Sequence, residues 1–148
     1  MKKKTRILFA CTNNSCRSQM AEGIGRALGG DTVEVFSAGT VPTSVNQLAI
    51  KVMKEVGTDI SGQRSKSIEE INLQEIDYVV TLCGDARDTC AMIPVGSFKR
   101  LHWDIIDPAS AKGGEEAVLH IFRSVRDELR KRIESLIKET GGSQLPLF

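Results

Sequence analysis

The stretch RILFACTNNSCRS, from Arg6 to Ser18, decides the fold. Its apolar run ends at Cys11, and after Ser18 apolar residues recur with the period of a helix. This pattern predicts a strand, a short loop and a helix N-terminus, in that order. The loop amides and the first helical N–H groups then form an oxyanion cradle, because the helix dipole favours negative charge there. The same donors stabilise a thiolate, so we expect Cys11 to be nucleophilic at neutral pH.

Arg17 follows Cys11 with the spacing Cys-x5-Arg, and Ser18 comes next. A guanidinium offers a rigid fork of donors to two oxygens of a tetrahedral anion, and a serine hydroxyl can donate to a thiolate. The spacing alone recurs by chance, and the alternative is an ordinary buried cysteine followed by a surface arginine. The position between a buried strand and a helix favours the functional interpretation.

The loop and the start of the helix form the predicted substrate-binding segment. Its members are Thr12, Asn13, Asn14, Ser15, Cys16, Arg17 and Ser18. Within this segment we expect Cys16 to be a bystander whose side chain faces away from the anion. Phosphate and sulfate have the shape and charge that suit such a cradle, so we expect them to mimic the substrate.

The composition is that of a soluble globular protein, with 41% hydrophobic residues, 26% charged residues and a net charge of +1. We predict one domain over residues 1–148, with a loose tail at 141–148. The near-neutral charge gives no electrostatic case for binding nucleic acid or a membrane surface. The apolar run after the basic N-terminus is too short for a signal peptide, so we predict a cytoplasmic protein. We expect a monomer, because no unpaired apolar stripe is visible.

Strand-like and helix-like segments alternate along the chain. Strands are predicted at 7–10, 33–37, 76–82 and 97–102. Helices are predicted after Ser18, after capping boxes at Ser44–Gln47 and Ser67–Glu70, and over 115–140. The alternation predicts a three-layer α/β domain, in which a four-stranded parallel sheet carries helices on both faces.

Three chemically reactive residues lie at or just beyond the ends of predicted strands. Cys11 ends the first strand, Cys83 ends the third, and Asp107 lies just past the fourth. Ligands of open parallel sheets bind beyond the carboxyl ends of the strands. We therefore expect these three residues to meet on one rim of the sheet.

Two further cysteines, Cys83 and Cys90, lie seven positions apart. On a helix the two residues would share a face and lie about 10 Å apart along the axis. A disulfide requires Cα atoms about 4.4–6.8 Å apart. A bond between them therefore requires an intervening helix to unwind, and we expect a segment that is partly helical when reduced and rearranged when oxidised. One alternative is a core cysteine followed by an unrelated exposed one. Another is a zinc site, but the spacings of the four cysteines match no zinc-ribbon pattern, so we predict no metal.

The first loop resembles the signature loop of the low-molecular-weight protein tyrosine phosphatases. The run NSCRSQMAEG at residues 14–23 is more similar to the thioredoxin-coupled arsenate reductases that share their fold. The similarity continues through FSAG at 36–39, VVTLC at 79–83 and DPA at 107–109. Asn13 departs from both families, which usually carry glycine there, and asparagine tolerates the left-handed backbone that such a loop requires.

The resemblance to the reductases implies a thiol relay. Cys11 attacks arsenate and forms a covalent adduct, then Cys83 attacks Cys11, so that arsenite leaves and a Cys11–Cys83 disulfide remains. Cys90 next attacks Cys83, and the redox-active Cys83–Cys90 disulfide is presented to thioredoxin. Because thiol–disulfide exchange runs through thiolates, each attacking cysteine must be deprotonated. The resemblance implies no tightly bound cofactor, with thioredoxin as the reductant.

Asp107-Pro108 resembles the general-acid loop of the shared fold, and the alternative is an ordinary turn aspartate before proline. Ala109 follows, where tyrosine phosphatases typically carry an aromatic residue against the substrate ring. That difference weakens the alternative function of a small tyrosine phosphatase. A second alternative is a non-catalytic redox or arsenic sensor that uses the same thiols.

Some relatives hold a structural potassium ion behind the anion loop. Asn14, Glu22 and Ser37 correspond to positions of that site, but the remaining acidic position is Lys66 here. A lysine ammonium can occupy the place of the cation. We therefore expect activity that does not depend on potassium.

Overall fold

A computed structural model describes residues 4–83 and 96–141. Its four strands are β1 (Thr5–Cys11), β2 (Val33–Gly39), β3 (Tyr78–Cys83) and β4 (Lys99–Ile105). They form one sheet in the order β2-β1-β3-β4, and every neighbouring pair is parallel. The predicted α/β class and four-stranded parallel sheet are therefore confirmed.

Within residues 4–83 and 96–141, three α-helices pack on one face of the sheet: α1 (Arg17–Gly29), α2 (Gln47–Glu55) and α3 (Glu115–Gly141). Alternate residues of β1, such as Ile7 and Phe9, join the core beneath them. Leu8 and Ala10 point to the other face, which two 3-10 helices cover at Ile68–Glu70 and Leu73–Glu75. Because β1 is buried on both faces, its sequence is a continuous apolar run rather than an alternating one.

Two helix-start predictions have different outcomes. The capping box at Ser67 and Glu70 is confirmed, because the Ser67 hydroxyl caps the first turn and the Glu70 carboxylate accepts from the Ser67 backbone N–H at 3.3 Å. The box at Ser44 is wrong, because α2 begins two residues later and is capped by Asn46. Asn46 Oδ1 accepts from the N–H groups of two residues in the first turn of α2, at 2.8 and 3.2 Å.

The order of the strands creates a crevice between the carboxyl ends of β1 and β3. The connection that leaves β1 leads to β2 on one side, and the connection that leaves β3 leads to β4 on the other, so the two diverge at the carboxyl ends of β1 and β3. Such a divergence leaves a crevice beyond the strand, where ligands of open α/β sheets bind. Cys11 is the last residue of β1 and therefore faces that crevice. Within the described residues, none of the helices is both long and apolar enough to cross a membrane.

Candidate active site

The loop at residues 12–16 joins β1 to α1 and is held from outside by the segment that follows β2. Three of its carbonyls accept backbone hydrogen bonds: Thr12 from Val41 at 2.8 Å, Asn13 from Thr43 at 3.2 Å and Ser15 from Asn46 at 3.0 Å. In a trans peptide the N–H points opposite to the C=O. Each of these bonds therefore turns the next N–H of the loop away from the segment 41–46, which is the arrangement that an anion cradle requires.

Gly39, the last residue of β2, permits this close approach. A Cβ atom there would lie 2.5 Å from the Thr12 carbonyl oxygen and 2.9 Å from the Asn14 backbone nitrogen. Neither backbone atom can move without displacing the loop. A side chain at position 39 is therefore incompatible with the observed position of the cradle.

The left-handed residue of the loop is Asn14 rather than Asn13. Asn14 has a φ of 49° and is the one non-glycine residue with a positive φ among residues 4–83 and 96–141. The expectation for Asn13 is therefore wrong, although asparagine still serves the purpose one position later. Asn14 is fully buried, and the hydrogen bonds of its side chain compensate for the strained backbone.

Cys11 and Ser18 meet at the base of the cradle. The Cys11 Sγ lies 2.8 Å from the Ser18 Oγ, and both residues are buried. Asn14 Nδ2 donates to the same Ser18 Oγ at 2.7 Å. The thiol therefore lies at the N-terminus of α1, with a hydroxyl in hydrogen-bond contact.

Arg17 connects the cradle with the ends of two other strands. Its Nη1 donates to the carbonyl oxygens of Leu82 in β3 and Ile105 in β4, both at 3.0 Å. Its Nη2 lies 3.8 Å from Asp107 Oδ2. The guanidinium, with 9% of the residue exposed, thus spans the rim on which the predicted reactive residues lie.

Asp107 caps the short 3-10 helix Pro108–Ser110, since its Oδ1 accepts from the Ala109 N–H at 3.0 Å. The side chain is 40% exposed and adjoins the guanidinium of Arg17. The structure therefore brings Asp107 to the cradle. A carboxyl group in this position can reach both solvent and a bound anion, as a general acid must.

Cys16, immediately before α1, is buried with 4% of its surface exposed. Burial raises the pKa of its thiol to about 12, and the negative charge of Asp107 acts in the same direction. A hydrogen bond with Ser15 opposes this shift only in part. The Cys16 thiol therefore stays protonated near neutral pH and adds no negative charge to the cradle.

Cys83 ends β3, and its backbone pairs with Ile105 of β4. The preceding carbonyl, that of Leu82, is one of the two that Arg17 holds. The structure thus places the backbone of Cys83 at the same end of the sheet as Cys11. Cys90 and the predicted redox-dependent segment lie outside the described residues.

A buried carboxylate lies behind the loop. Glu22, 5% exposed, accepts from the Ser37 hydroxyl at 2.5 Å and lies 3.4 Å from the Lys66 ammonium. Its second oxygen pairs with Arg26 at 2.5 Å. Three positive or donor groups therefore satisfy the carboxylate. Among the residues that the structure describes, no group of three or more His, Cys, Asp or Glu side chains forms a metal site.

Sequence reasoning missed two amides that support the loop, Gln19 and Gln63. Gln19 is fully buried in the first turn of α1, where its side chain bonds with Asn14 and Gln63. Neither residue carried a signal in the sequence, because neighbouring residues of a helix face different directions and Gln63 lies in a polar loop.

Taken together, the geometry suits covalent attack on a tetrahedral oxyanion. A thiol lies at a helix N-terminus, a guanidinium can bind anion oxygens, and a carboxyl group lies beside it. The thiol and the guanidinium lie at the end of β1 and at the start of the helix that follows it, whereas the carboxyl group follows β4.

Comparison with known proteins agrees with this site. A family described as "Low molecular weight phosphotyrosine protein phosphatase" matches residues 6–144. An arsenate reductase from Halalkalibacterium halodurans is 51% identical over 141 residues, which are 95% of this chain and 99% of the relative. A solved arsenate reductase in the phosphate binding state superposes with a TM-score of 0.75 and 36% identity, covering 92% of this chain and 98% of that one. A thioredoxin-dependent arsenate reductase from Corynebacterium glutamicum has a TM-score of 0.73 and 26% identity, covering 94% of this chain and 63% of that one.

The match spans the anion loop, the sheet except its first residue, and the whole of the last helix. The chain therefore belongs to the low-molecular-weight phosphotyrosine protein phosphatase family, and close relatives within that family are arsenate reductases.

Proposed function

We propose that this protein reduces arsenate to arsenite by a relay of three thiols and is returned to its dithiol form by thioredoxin. The observation that carries the proposal is the position of Arg17. Its guanidinium lies at the start of the cradle helix, holds the carbonyl beside Cys83 and adjoins Asp107. One side chain thus links the anion site, the proposed acid and the strand end that carries a second cysteine.

In the first step, the Cys11 thiolate attacks arsenic and a hydroxide of arsenate departs as water, with the proton supplied by Asp107. Arg17 and the amides of the loop bind the remaining oxygens. In the second step, the Cys83 thiolate attacks the Cys11 sulfur. The electron pair of the sulfur–arsenic bond passes to arsenic, which leaves as arsenite, and a Cys11–Cys83 disulfide remains.

Regeneration needs two further exchanges. The Cys90 thiolate attacks Cys83 and releases Cys11, so the oxidising equivalents move to a Cys83–Cys90 disulfide. A thioredoxin dithiol then reduces that disulfide and becomes oxidised itself. The supporting comparisons are the 51% identical relative, an arsenate reductase, and the Corynebacterium glutamicum protein, which is thioredoxin-dependent.

A tyrosine phosphatase activity is the second candidate, because the family is described by that activity and arsenate resembles phosphate in shape and charge. Such an enzyme needs the cradle and an acid, but no second or third cysteine. Ala109, next to the proposed acid, offers no aromatic ring to a phenyl phosphate. This difference favours the reductase.

We also propose that Lys66 replaces a structural cation in this protein. Its ammonium lies 3.4 Å from Glu22 Oε1 and donates to the Arg64 carbonyl at 3.0 Å, while its backbone N–H donates to Asn14 Oδ1 at 2.8 Å. The side chain brings a positive charge to the buried carboxylate behind the loop.

We further propose one cytoplasmic domain that acts as a monomer.

The test is arsenate-dependent NADPH consumption in the presence of thioredoxin and thioredoxin reductase. We expect the wild type to turn over and both Cys83→Ser and Cys90→Ser to stop cycling. Cys16→Ala is the matched control, because it removes the cysteine that has no role in the relay, and it should cycle. If the wild type is inert with arsenate while it and both serine variants hydrolyse an aryl phosphate, the protein is a phosphatase.

A further inference from the structure

A chain of hydrogen-bonded side chains, three amides and one hydroxyl, runs from the surface to the reactive thiol. It passes from Gln63 to Gln19, Asn14 and Ser18, and it ends at Cys11. The successive contacts are 2.7, 2.9, 2.7 and 2.8 Å long. Gln19, Asn14 and Ser18 are each fully buried.

The orientation of Asn14 follows from a partner that can only donate. The backbone N–H of Lys66 points at Asn14 Oδ1 at 2.8 Å, so this atom is the oxygen. Asn14 Nδ2 is then the atom that faces Ser18, and it must donate to the Ser18 Oγ. With that oxygen accepting from Asn14, the hydroxyl hydrogen is available to a Cys11 thiolate, which can only accept.

The orientation of Gln19 is set in the same manner by carbonyls. Its Nε2 lies 2.9 Å from the carbonyl oxygen of Arg64 and 3.1 Å from that of Asn14, and both of these can only accept. The same Nε2 also donates to Asn14 Oδ1 at 2.9 Å, so its two hydrogens serve three acceptors and one of them is shared. This bond holds the Asn14 side chain in the rotamer that reaches Ser18.

At the surface end of the hydrogen-bonded chain, Arg26 fixes the orientation of the Gln63 amide. Its Nη1, a pure donor, contacts Gln63 Oε1 at 3.1 Å, so the Nε2 of Gln63 faces inward. That Nε2 donates to Gln19 Oε1 at 2.7 Å and to the Gln19 backbone carbonyl at 3.1 Å. Every amide in the chain thus donates toward Cys11, and no member can be reversed without losing a bond at both of its ends.

We propose that Gln19 and Gln63 are positioning residues that favour the Cys11 thiolate through Asn14 and Ser18. The hydrogen bond to the Cys11 thiol comes from Ser18, and Gln19 and Gln63 act on it through Asn14. Hydrogen bonds that point the same way along a chain polarise one another, which strengthens the last donor. The inference rests on the proposed function in one respect, which is that Cys11 is the nucleophile.

The test measures the rate of Cys11 alkylation by iodoacetamide as a function of pH, with the modified cysteine identified by mass spectrometry of peptides. Gln19→Met keeps the length of the side chain but removes its donors and acceptor. The bond from Ser18 to a charged thiolate is worth about tenfold in an equilibrium constant, and Gln19 acts on it only indirectly. We therefore expect the pH midpoint of alkylation to rise by at most about one unit.

Gln63→Met is the second variant. Methionine cannot donate to Gln19 Oε1 and adds no charge, so the midpoint should rise in the same direction by a smaller amount. Because Gln63 is only partly buried, this variant should fold even if Gln19→Met does not, and it then decides the question alone. Ile133→Val in α3 is the matched control, since it removes a methyl group from the core without removing a hydrogen bond.

An unchanged midpoint in folded Gln19→Met, or in Gln63→Met where the former does not fold, overturns the proposal. An equal rise in Ile133→Val also overturns it, because a general loss of stability would then explain the shift. The readout needs no arsenate. If arsenate turnover is absent in the wild type but the midpoints shift as expected, the proposed reaction fails and the positioning role stands.

Discussion

Replacing Arg17 with lysine keeps a positive charge at the cradle but removes the planar fork that joins three strand ends. Nη1 of Arg17 donates to the Leu82 and Ile105 carbonyls at 3.0 Å, and a single ammonium cannot hold both and also bind an anion in a bidentate manner. We therefore expect two separable losses in Arg17→Lys, one in catalysis and one in stability.

The catalytic loss follows from the anion contact. Removing one preorganised donor from an oxyanion site typically costs about 2.7–4 kcal/mol, which is about 10²–10³ in rate. We expect kcat/KM for arsenate to fall by about that factor in the thioredoxin-coupled assay. The loss should be larger for kcat than for KM, because the fork acts on charge that develops during the reaction.

The stability loss follows from the carbonyls. A buried carbonyl left without a partner costs about 1–3 kcal/mol, and lysine can satisfy one of the two. We expect the free energy of unfolding in guanidinium chloride to fall by about 1–3 kcal/mol. Arg132→Lys is the matched control, since Arg132 forms an exposed pair with Glu128 at 2.6 Å and should change stability by less than about 1 kcal/mol. A kcat/KM for Arg17→Lys within threefold of the wild type would refute the reasoning.

Three further predictions concern other parts of the site. The pKa of Cys16 is raised from 9.0 to about 12, so its contribution to stability is complete below pH 9 and is lost as pH rises toward 12. Urea unfolding at pH 8 and pH 10 should therefore show a smaller alkaline loss of stability in Cys16→Ala than in the wild type, and equal losses would contradict this. Potassium should not stimulate the wild type over sodium, whereas Lys66→Asp, which adds a carboxylate beside Glu22, should gain such stimulation in the turnover assay. Gly39→Ala puts a Cβ against the Thr12 carbonyl, so phosphate should no longer protect Cys11 from alkylation, and protection equal to that of wild type would show that the loop can move.

The sequence by itself determined the frame of the site. The change from an apolar run to a helical period around Cys11 predicts the strand, the loop and the helix start, and all three are present. Alternation of elements predicts the parallel sheet, and in such a sheet Cys11, Cys83 and Asp107 necessarily fall at one end. These properties depend on the local order of residues or on their periodicity, so they can be predicted from one sequence.

Only the tertiary structure decided which side chains hold this frame in place. Arg17 donates to carbonyls 65 and 88 positions away, and Gln63 reaches Gln19 across 44 positions. Asn14, rather than Asn13, takes the left-handed backbone, because its side chain is anchored by the backbone of Lys66. Such contacts depend on how the loops pack after the sheet has formed, and no periodicity or spacing in the sequence records that packing.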